Sequence, residues 1–353
     1  ATADGSNDLY ISTAQSDATP RLVPGTPEFK AALKTIKGTK NFGTGAGFVS
    51  TSSIYDFEGM YDFEDRLGFA NLLLGGSYKM YKPFTKGSIY SDSDETVAEH
   101  GEIELNEYAV FGQISKSVLN NSLKLQATMR YDGHSNFEAH VSPRLSAVYS
   151  LNNFQHIRAS YQSGFANPTV QDQYLNVNLG VQHLIGGTEQ NVKRLGLTQL
   201  FTDGIIANSD GTLESVKTDY LQAGYQTSYE VGYKGLLSKN IYLDVNYYAS
   251  EHTKPQGSKL VYDSALCDKD SDGNITSCSS SYTINTNKIG SDKLHGAGVS
   301  VTYNFDNGYR IGGSYSFSDM NMEPSESFTL ATRRPKNRIK LILRCLFGTL
   351  GIY

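Results

Sequence analysis

The sequence predicts an all-β protein, an antiparallel β-barrel that spans a membrane with long outer loops and short periplasmic turns. A soluble sandwich or propeller shows the same alternation of apolar and polar residues. The length of the strands and the unequal lengths of the connections at their two ends therefore decide between the two architectures. Most alternating segments approach the ~9–11 residues of a tilted membrane strand rather than the ~5–6 of an average soluble strand. Aromatic residues at strand ends are typical of interfacial girdles: Tyr131, Tyr149, Tyr247, Tyr303, Phe305, Tyr309 and Phe317.

The lengths of the connections alternate along the chain. Short turns are predicted at 119–121, 151–153, 238–240 and 306–308. Longer loops are predicted at 133–141, 165–226, 251–292 and 319–336. Membrane barrels show this asymmetry because short turns lie on the periplasmic side and long loops on the outer side.

Residues 1–50 are predicted as a loop or partly disordered segment, and residues 51–353 as part of one barrel domain. Asp, Ser, Thr, Gly and Pro dominate up to Pro27. Within this segment, residues 28–37 are predicted to form a short amphipathic helix with Phe29, Leu33 and Ile36 on one side.

About eleven strands follow. The region from 53 to 118 holds three, the last with an ambiguous facing. The clearest lie between 122 and 174, where Leu123 to Tyr131 alternate with polar residues and the pattern resumes from Pro143 and again from Gln155. Strands return at 228–236, 241–250 and 295–305, and the Asp306-Asn307-Gly308 turn leads into another.

Composition excludes several classes. The 353 residues have a net charge of -5, which gives no indication of nucleic-acid binding. No run approaches the ~18 apolar residues of a membrane helix. The chain lacks a Gly-x-Ser-x-Gly elbow, a His-Glu-x-x-His motif and a phosphate-binding glycine loop, so we expect no enzyme.

One motif carries chemistry of its own. In CDKDSDGNITSC, Asp268, Asp270 and Asp272 alternate before a glycine, like the first half of a calcium loop. The twelfth position is Ser279 instead of Glu, so an acidic, solvated turn without an ion is the alternative. A disulfide between Cys267 and Cys278 is a further hypothesis, because both fall in one predicted outer loop.

His134 and His140 share a loop and are a weaker metal candidate. Two histidines without a third ligand are more often ordinary loop residues.

Several short motifs resemble those of TonB-dependent outer-membrane receptors over about residues 50–345. They are a Ser-Pro-Arg strand start, a Gly-Phe-x-x-Pro-Thr segment and a Glu-x-Gly-Tyr-Lys strand. The matching positions are Ser142, Pro143, Arg144, Gly164, Phe165, Pro168, Glu230, Gly232 and Tyr233. One departure is Ala166, where the family usually has an Arg that would face the barrel interior.

The resemblance implies a barrel of about 22 strands closed by an N-terminal plug. Eleven strands are about half of that number, so we expect a fragment without the plug and some strands. The start at Ala1, without Met or signal peptide, and the absence of a long final strand after Arg344 also favour a fragment. Because half a barrel leaves two unpaired edges, we expect these residues alone not to insert and transport.

The implied function is active uptake of a bulky nutrient (a siderophore, cobalamin, glycan or peptide) across the outer membrane of a Gram-negative bacterium. Implied partners are outer-membrane lipid, the TonB complex acting through the plug, the nutrient and a surface lipoprotein. The alternatives are a secreted or surface β-rich adhesin or carbohydrate-binding module, and a passive porin-like channel.

Overall fold

The computed structural model describes residues 22–39, 46–180, 182–208, 211–322, 335–345 and 348–352. The chain divides into two compact units, Ala1–Val49 and Ser50–Tyr353. Within the described residues no helix is long and apolar enough to cross a membrane.

The first unit contains helix α1, Pro27–Gly38, which confirms the helix predicted at 28–37. Thr26 caps it, since its hydroxyl accepts a hydrogen bond from the Phe29 amide at 3.2 Å. Leu33 and Ile36 are exposed, so the described part of this unit does not bury the predicted apolar side. The rest of the predicted loop, at 1–21 and 40–45, lies outside the described residues.

The second unit is dominated by strands. Short 3-10 helices lie at Glu64–Leu67 and Ser264–Leu266. The remaining elements, in chain order, are β1 Ser53–Asp62, β2 Asn71–Lys82, α2 Asp94–His100, β3 Leu105–Val118, β4 Leu123–His134, β5 His140–Asn152, β6 Gln155–Ala166, α3 Val170–Tyr174, β7 Asn176–Asn178, β8 Gln182–Ile185, α4 Glu189–Arg194, α5 Thr198–Thr202, β9 Gly204–Ala207, β10 Leu213–Val216, β11 Gly224–Leu236, β12 Ile241–Thr253, β13 Gln256–Tyr262, β14 Cys267–Lys269, β15 Ile275–Cys278, β16 Ser281–Asn287, β17 Ser291–Asn304, β18 Arg310–Met322, β19 Asn337–Cys345 and β20 Gly348–Ile352.

Twelve strands form one antiparallel sheet, which we call the wall. Its order is β1-β2-β3-β4-β5-β6-β11-β12-β17-β18-β19-β20, one strand more than predicted. Most of its strands have 12 to 14 residues, long enough for a tilted membrane span. Among the described strands β1 and β20 do not pair with each other, so the wall is an open part of a barrel.

The register aligns side chains into two faces that run across the wall. One row is apolar: Ala127, Leu145, Tyr161, Tyr229 and Ala249. The adjacent row, on the opposite face, is polar: Thr128, Arg144, Gln162, Ser228 and Ser250. We call these the apolar face and the polar face. β3, whose facing was ambiguous, places Val110 opposite Tyr131 and therefore on the apolar face.

The two edges of the wall differ as predicted. At one edge the strands are joined by short turns, including 119–122 and 305–309, where Gly308 has a φ of 87°. At the other edge the connections 167–223 and 254–290 are long. The predicted loop at 133–141 is shorter, at 135–139, because β4 and β5 extend into it.

The two longest connections are not structureless, and this corrects the prediction of plain loops at 165–226 and 251–292. Together they form a six-stranded sheet, the cap, in the order β10-β9-β13-β16-β8-β7. β8 and β16 come from different connections and pair in parallel. The cap and its helices bury an apolar core made by Ile185, Val192, Leu200, Phe201, Val261, Tyr282 and Ile284.

The predicted loop at 319–336 is described only in part. β18 runs to Met322, and residues 323–334 lie outside the described residues.

Candidate functional site: a cavity at the loop end of the polar face

The polar face carries a three-residue ionic network near the edge with the short turns. The Nε of Arg158 lies 3.1 Å from Glu230 Oε1, and its Nη2 lies 3.3 Å from Asp244 Oδ1. These residues come from β6, β11 and β12, which are neighbours in the wall. The network therefore ties three strands together through their side chains.

This network accounts for two residues of the Glu-x-Gly-Tyr motif, Glu230 and Gly232. Glu230 accepts the hydrogen bond from Arg158, and a Cβ at position 232 would lie 2.8 Å from the Arg158 Cζ. Gly232 therefore leaves the space that the guanidinium occupies. Tyr233 lies opposite Ile157 and Val245 on the apolar face.

A second charged group lies on the polar face near β1 to β4. Arg130 donates from Nε to Asp132 Oδ1 at 2.8 Å, and Lys79 lies 3.5 Å from Asp56. The side chains surround a cavity of about 200 Å³. Both cations already have acidic partners, so this cavity offers no uncompensated positive charge.

A larger cavity, of about 550 Å³, lies where β6, β11 and β12 reach the long connections. We call it the loop-end cavity. Its lining includes Gln162, Gly164, Ala166, Gln226, His252 and Gln256. Among its described lining residues none is Lys, Arg, Asp or Glu. The register pairs Gly164 with Gln226 and Gln162 with Ser228, which places them on the polar face.

Hydrogen bonds fix part of this lining. Gln256 donates from Nε2 to the Ala166 carbonyl at 3.3 Å, and Gln226 donates to the Ser228 hydroxyl at 2.9 Å. A Cβ built on Gly164 would have no heavy atom within 4 Å, so this position opens onto free space. The cavity therefore has a fixed rim and an open interior.

Aromatic side chains stand beside the cavity. Phe165 and Tyr225, both in its lining, pack against His140 with ring centroids 5.2 and 4.9 Å apart. Lys254 lies nearby, with its ammonium 5.9 Å from the centre of the Tyr225 ring, and donates to the Gln222 amide oxygen.

The remaining motif residues shape strand ends. Pro143 lies opposite Met129, and the pairing of β5 with β6 begins only at Arg144, so the missing amide of the proline interrupts no ladder. Ser142 lies opposite Arg130. The Pro168 carbonyl accepts a hydrogen bond from Gln173 at 2.7 Å, just before the capped helix α3.

Gly164 and Phe165 are the motif residues that reach the loop-end cavity. Sequence reasoning missed Gln162, Gln226, His252 and Gln256. Part of their position could have been found from the sequence, because three of them are polar residues near strand ends that border the longest connections.

The two candidate histidines have separate surroundings. His134 packs against Phe137 at 4.7 Å and lies 3.6 Å from Glu107, whereas His140 packs against Phe165 and Tyr225. The described residues contain no group of three or more His, Cys, Asp or Glu side chains placed to hold a metal.

The acidic motif forms the hairpin of β14 and β15, in which Cys267 and Cys278 are joined by a disulfide. Asp270 accepts hydrogen bonds from the backbone amides of Asn274 and Asp272 at 2.8 and 2.9 Å. These bonds, those from Asn274 first, lower the pKa of its carboxyl. Asp268 accepts a hydrogen bond from the Ser277 hydroxyl at 2.7 Å. Calcium binding by Asp268, Asp270 and Asp272 stays a prediction.

An antiparallel sheet with one apolar face, one polar face and long connections at a single edge defines a β-barrel wall of the outer-membrane type. A family model described as TonB dependent receptor-like, beta-barrel matches residues 5–344. The chain belongs to this family of receptors.

Solved structures agree on the fold. The siderophore receptor PirA from Acinetobacter baumannii has 12% identity and a TM-score of 0.52 over 83% of this chain and 40% of its own. A mutant of the ferric enterobactin receptor PfeA from Pseudomonas aeruginosa has 12% identity and a TM-score of 0.55 over 83% of this chain and 39% of its own. The chain thus spans about 40% of the solved structures it matches. A comparison with curated proteins finds no match.

Proposed function

We propose that the chain forms part of an outer-membrane receptor that imports a bulky nutrient by TonB-dependent active transport. The observation that carries this proposal is the register of the wall, which keeps an apolar and a polar face continuous across neighbouring strands. Family membership supports the same function. The apolar face would contact outer-membrane lipid of a Gram-negative bacterium, and the polar face would line the barrel interior.

We assign different roles to the two ends of the strands: ligand binding at the loop edge and contact with the plug lower on the polar face. At the loop edge, the cap and the loop-end cavity offer a binding surface towards the outside. Lower on the polar face, the Arg158 network would face the plug and links three strands of the wall through their side chains. Import would follow when the TonB complex displaces that plug from the periplasmic side. A surface lipoprotein partner stays a prediction.

The test uses the full-length gene product in its own bacterium. Cell fractionation should place the protein in the outer membrane, and deletion of the gene should abolish growth on one scarce nutrient. Deletion of tonB should abolish the same growth while leaving the protein in the membrane. Growth that survives loss of TonB would contradict active transport and favour a passive channel. Recovery of the protein in the soluble fraction would favour an adhesin or binding module.

A further inference from the structure

We propose that the wall binds an anionic membrane phospholipid near the turn between β3 and β4, with an acyl chain on the apolar face and the phosphate beside Lys116 and Lys124. The inference rests on the proposed function in placing the apolar face against lipid. It starts from two adjoining cavities, which we call the acyl groove and the headgroup notch. Both include Lys116, which lies close to the end of β3 at Val118.

The acyl groove is an open depression of about 630 Å³ on the apolar face. Its floor is low because Ala127, Ala147 and Ala159 come from three neighbouring strands and fill little space. A flexible hydrocarbon chain has no polar group to satisfy in such a groove and gains dispersion contacts with its sides. Larger side chains border the floor: Ile114, Leu125, Leu145 and Tyr161.

The headgroup notch is a polar cavity of about 400 Å³ that adjoins the groove, with which it shares Phe69, Ala70 and Lys116. Its lining also contains Lys124, and the described lining contains neither Asp nor Glu. Among the described residues, no carboxylate forms an ion pair with either lysine. The notch therefore offers positive charge to a phosphate without a competing acid in its lining.

The sheet is incomplete beside this notch. The pairing of β2 with β3 ends at Asn71 and Ser115, whereas β3 continues to Val118. Within the described strands, the last three residues of β3 therefore pair only with β4. Hydrocarbon offers no hydrogen-bond partner to such a backbone edge. The ester and phosphate oxygens of a phospholipid can accept from amides and from lysines at this level.

The position of Lys116 favours a lipid over a dissolved anion. Lys116 lies opposite Leu125, and Leu125 lies opposite Ala147, so this lysine belongs to the apolar face. A cation on a lipid-facing surface is tolerated near the interface, where its long side chain carries the ammonium to the headgroups. A phosphate that carries its own acyl chains is already at that interface, whereas a free phosphate would have to leave water to reach it.

The test measures lipid binding to the full-length protein in detergent by native mass spectrometry. The probes are phosphatidylglycerol and phosphatidylethanolamine with identical acyl chains, and glycerol phosphate without acyl chains. We expect phosphatidylglycerol to bind more than about tenfold more tightly than phosphatidylethanolamine, and glycerol phosphate not to bind. Equal affinities for the two lipids, or binding of glycerol phosphate as tight as that of phosphatidylglycerol, would overturn the proposal.

Charge variants locate the phosphate. Lys116→Gln and Lys124→Gln should each weaken phosphatidylglycerol binding about fivefold, the effect of one cation near a membrane surface. Lys116→Arg keeps the charge and should keep the affinity. The matched control is Lys239→Gln, because Lys239 lies in another short turn and pairs with Asp306 at 3.5 Å. It should bind like the wild type. Wild-type affinity in both Lys116→Gln and Lys124→Gln would exclude the notch as the phosphate site.

A steric variant locates the acyl chain. Ala147→Trp should fill the groove and weaken the binding of both lipids about tenfold. The control is Ala297→Trp, because Ala297 lies opposite Tyr247 on the same face but outside the groove. It should bind both lipids like the wild type, and equal weakening by the two tryptophan variants would contradict the groove.

Failure of this inference and failure of the proposed function give different results. Growth that survives loss of TonB contradicts active transport and leaves the measured lipid affinities standing. Equal affinities for the two lipids, together with growth that requires TonB, would overturn the lipid site alone.

Discussion

The wall and the cap use the same kinds of residue in opposite surroundings. In the cap, Val192, Val261 and Ile284 are fully buried, with relative exposures of 0%. In the wall, Val110 is 64% exposed and Leu145 54%, although both lie in regular, fully paired strands. The cap is thus stabilised like a soluble protein, by an interior of its own.

The difference shows that the two regions bury their apolar side chains in different ways. Apolar side chains that face water cost free energy, at roughly 25 cal/mol per Å². The wall exposes an entire apolar face, which lipid would bury in the proposed receptor, whereas the cap buries its core by itself. Each variant below should therefore act on one region and spare the other.

The largest expected effect is on the core of the cap. Phe201 is 1% exposed and sits among the core residues, so Phe201→Ala should destabilise the cap by about 3–5 kcal/mol. Hydrogen exchange of the membrane-reconstituted full-length protein measures this locally. The control is Phe57→Ala in β1, where Phe57 is 65% exposed, and it should leave the cap unchanged. Exchange in the cap of Phe201→Ala that is as slow as in the wild type would contradict this and show that the cap is stabilised by the wall instead of by its own core.

A charge on the apolar face comes next. Leu145→Arg should cost about 2–4 kcal/mol in a bilayer, because the guanidinium would enter hydrocarbon near the middle of β5. Denaturant titration of refolding into vesicles gives this value. Ser146→Arg, one residue along on the polar face, serves as the control and should fold nearly as well as the wild type. If Ser146→Arg were the more damaging variant, the assignment of the two faces would be wrong.

A smaller steric effect separates two glycines. At Gly187, where the chain crosses β16, an added Cβ would overlap the Asn285 carbonyl oxygen, so the backbone must shift. Gly187→Ala should cost about 1–3 kcal/mol of cap stability. Gly59→Ala in the wall, with open space at its Cβ, should be nearly neutral. Protease cleavage rates in the cap compare the two, and equal rates would contradict the close crossing.

The smallest effect is pH-dependent and confined to the cap. A hydrogen bond from the Ser215 hydroxyl, at 2.7 Å, is the main cause that lowers the pKa of Asp203 below its usual 3.8. A lowered folded-state pKa stabilises the fold above the unfolded value, and that stabilisation is lost as pH falls through the folded pKa. Below about pH 4, protease sensitivity of the cap should rise in the wild type, and less so in Asp203→Asn. A rise of the same size in both would exclude Asp203 as the cause.

The wall could be predicted from the sequence because its signal is local. Strands of 12 to 14 residues repeat their alternation several times, as between Leu123 and Tyr131, and several have one partner directly after a short turn, as β3 has in β4. The cap could not be predicted, because β8 and β9 have four residues each, too few to show a period. β8 pairs with β16 across about 100 residues, and only the folded chain brings them together.

The same limit applies to the candidate site. Gly164 and Phe165 stood out through their motif, but His252 and Gln256 fell inside a predicted loop. The structure extends β12 to Thr253 and begins β13 at Gln256, which carries both side chains to the cavity. These two residues reach the cavity because of their positions in the strands, which residue type alone does not reveal.

The parallel pairing of β8 with β16 also constrains how this surface can evolve. Outer loops are normally free to change independently, and they accumulate differences fastest. Here replacement of one connection would remove a neighbour from strands of the other, because β13 and β16 lie between β9 and β8 in the cap sheet, so we expect both connections to be inherited or exchanged together. The hairpin at 267–278 pairs only within itself and is closed by its own disulfide. We therefore expect sequence differences among related strains to concentrate in that hairpin. In the cap sheet, we expect the two connections to change together.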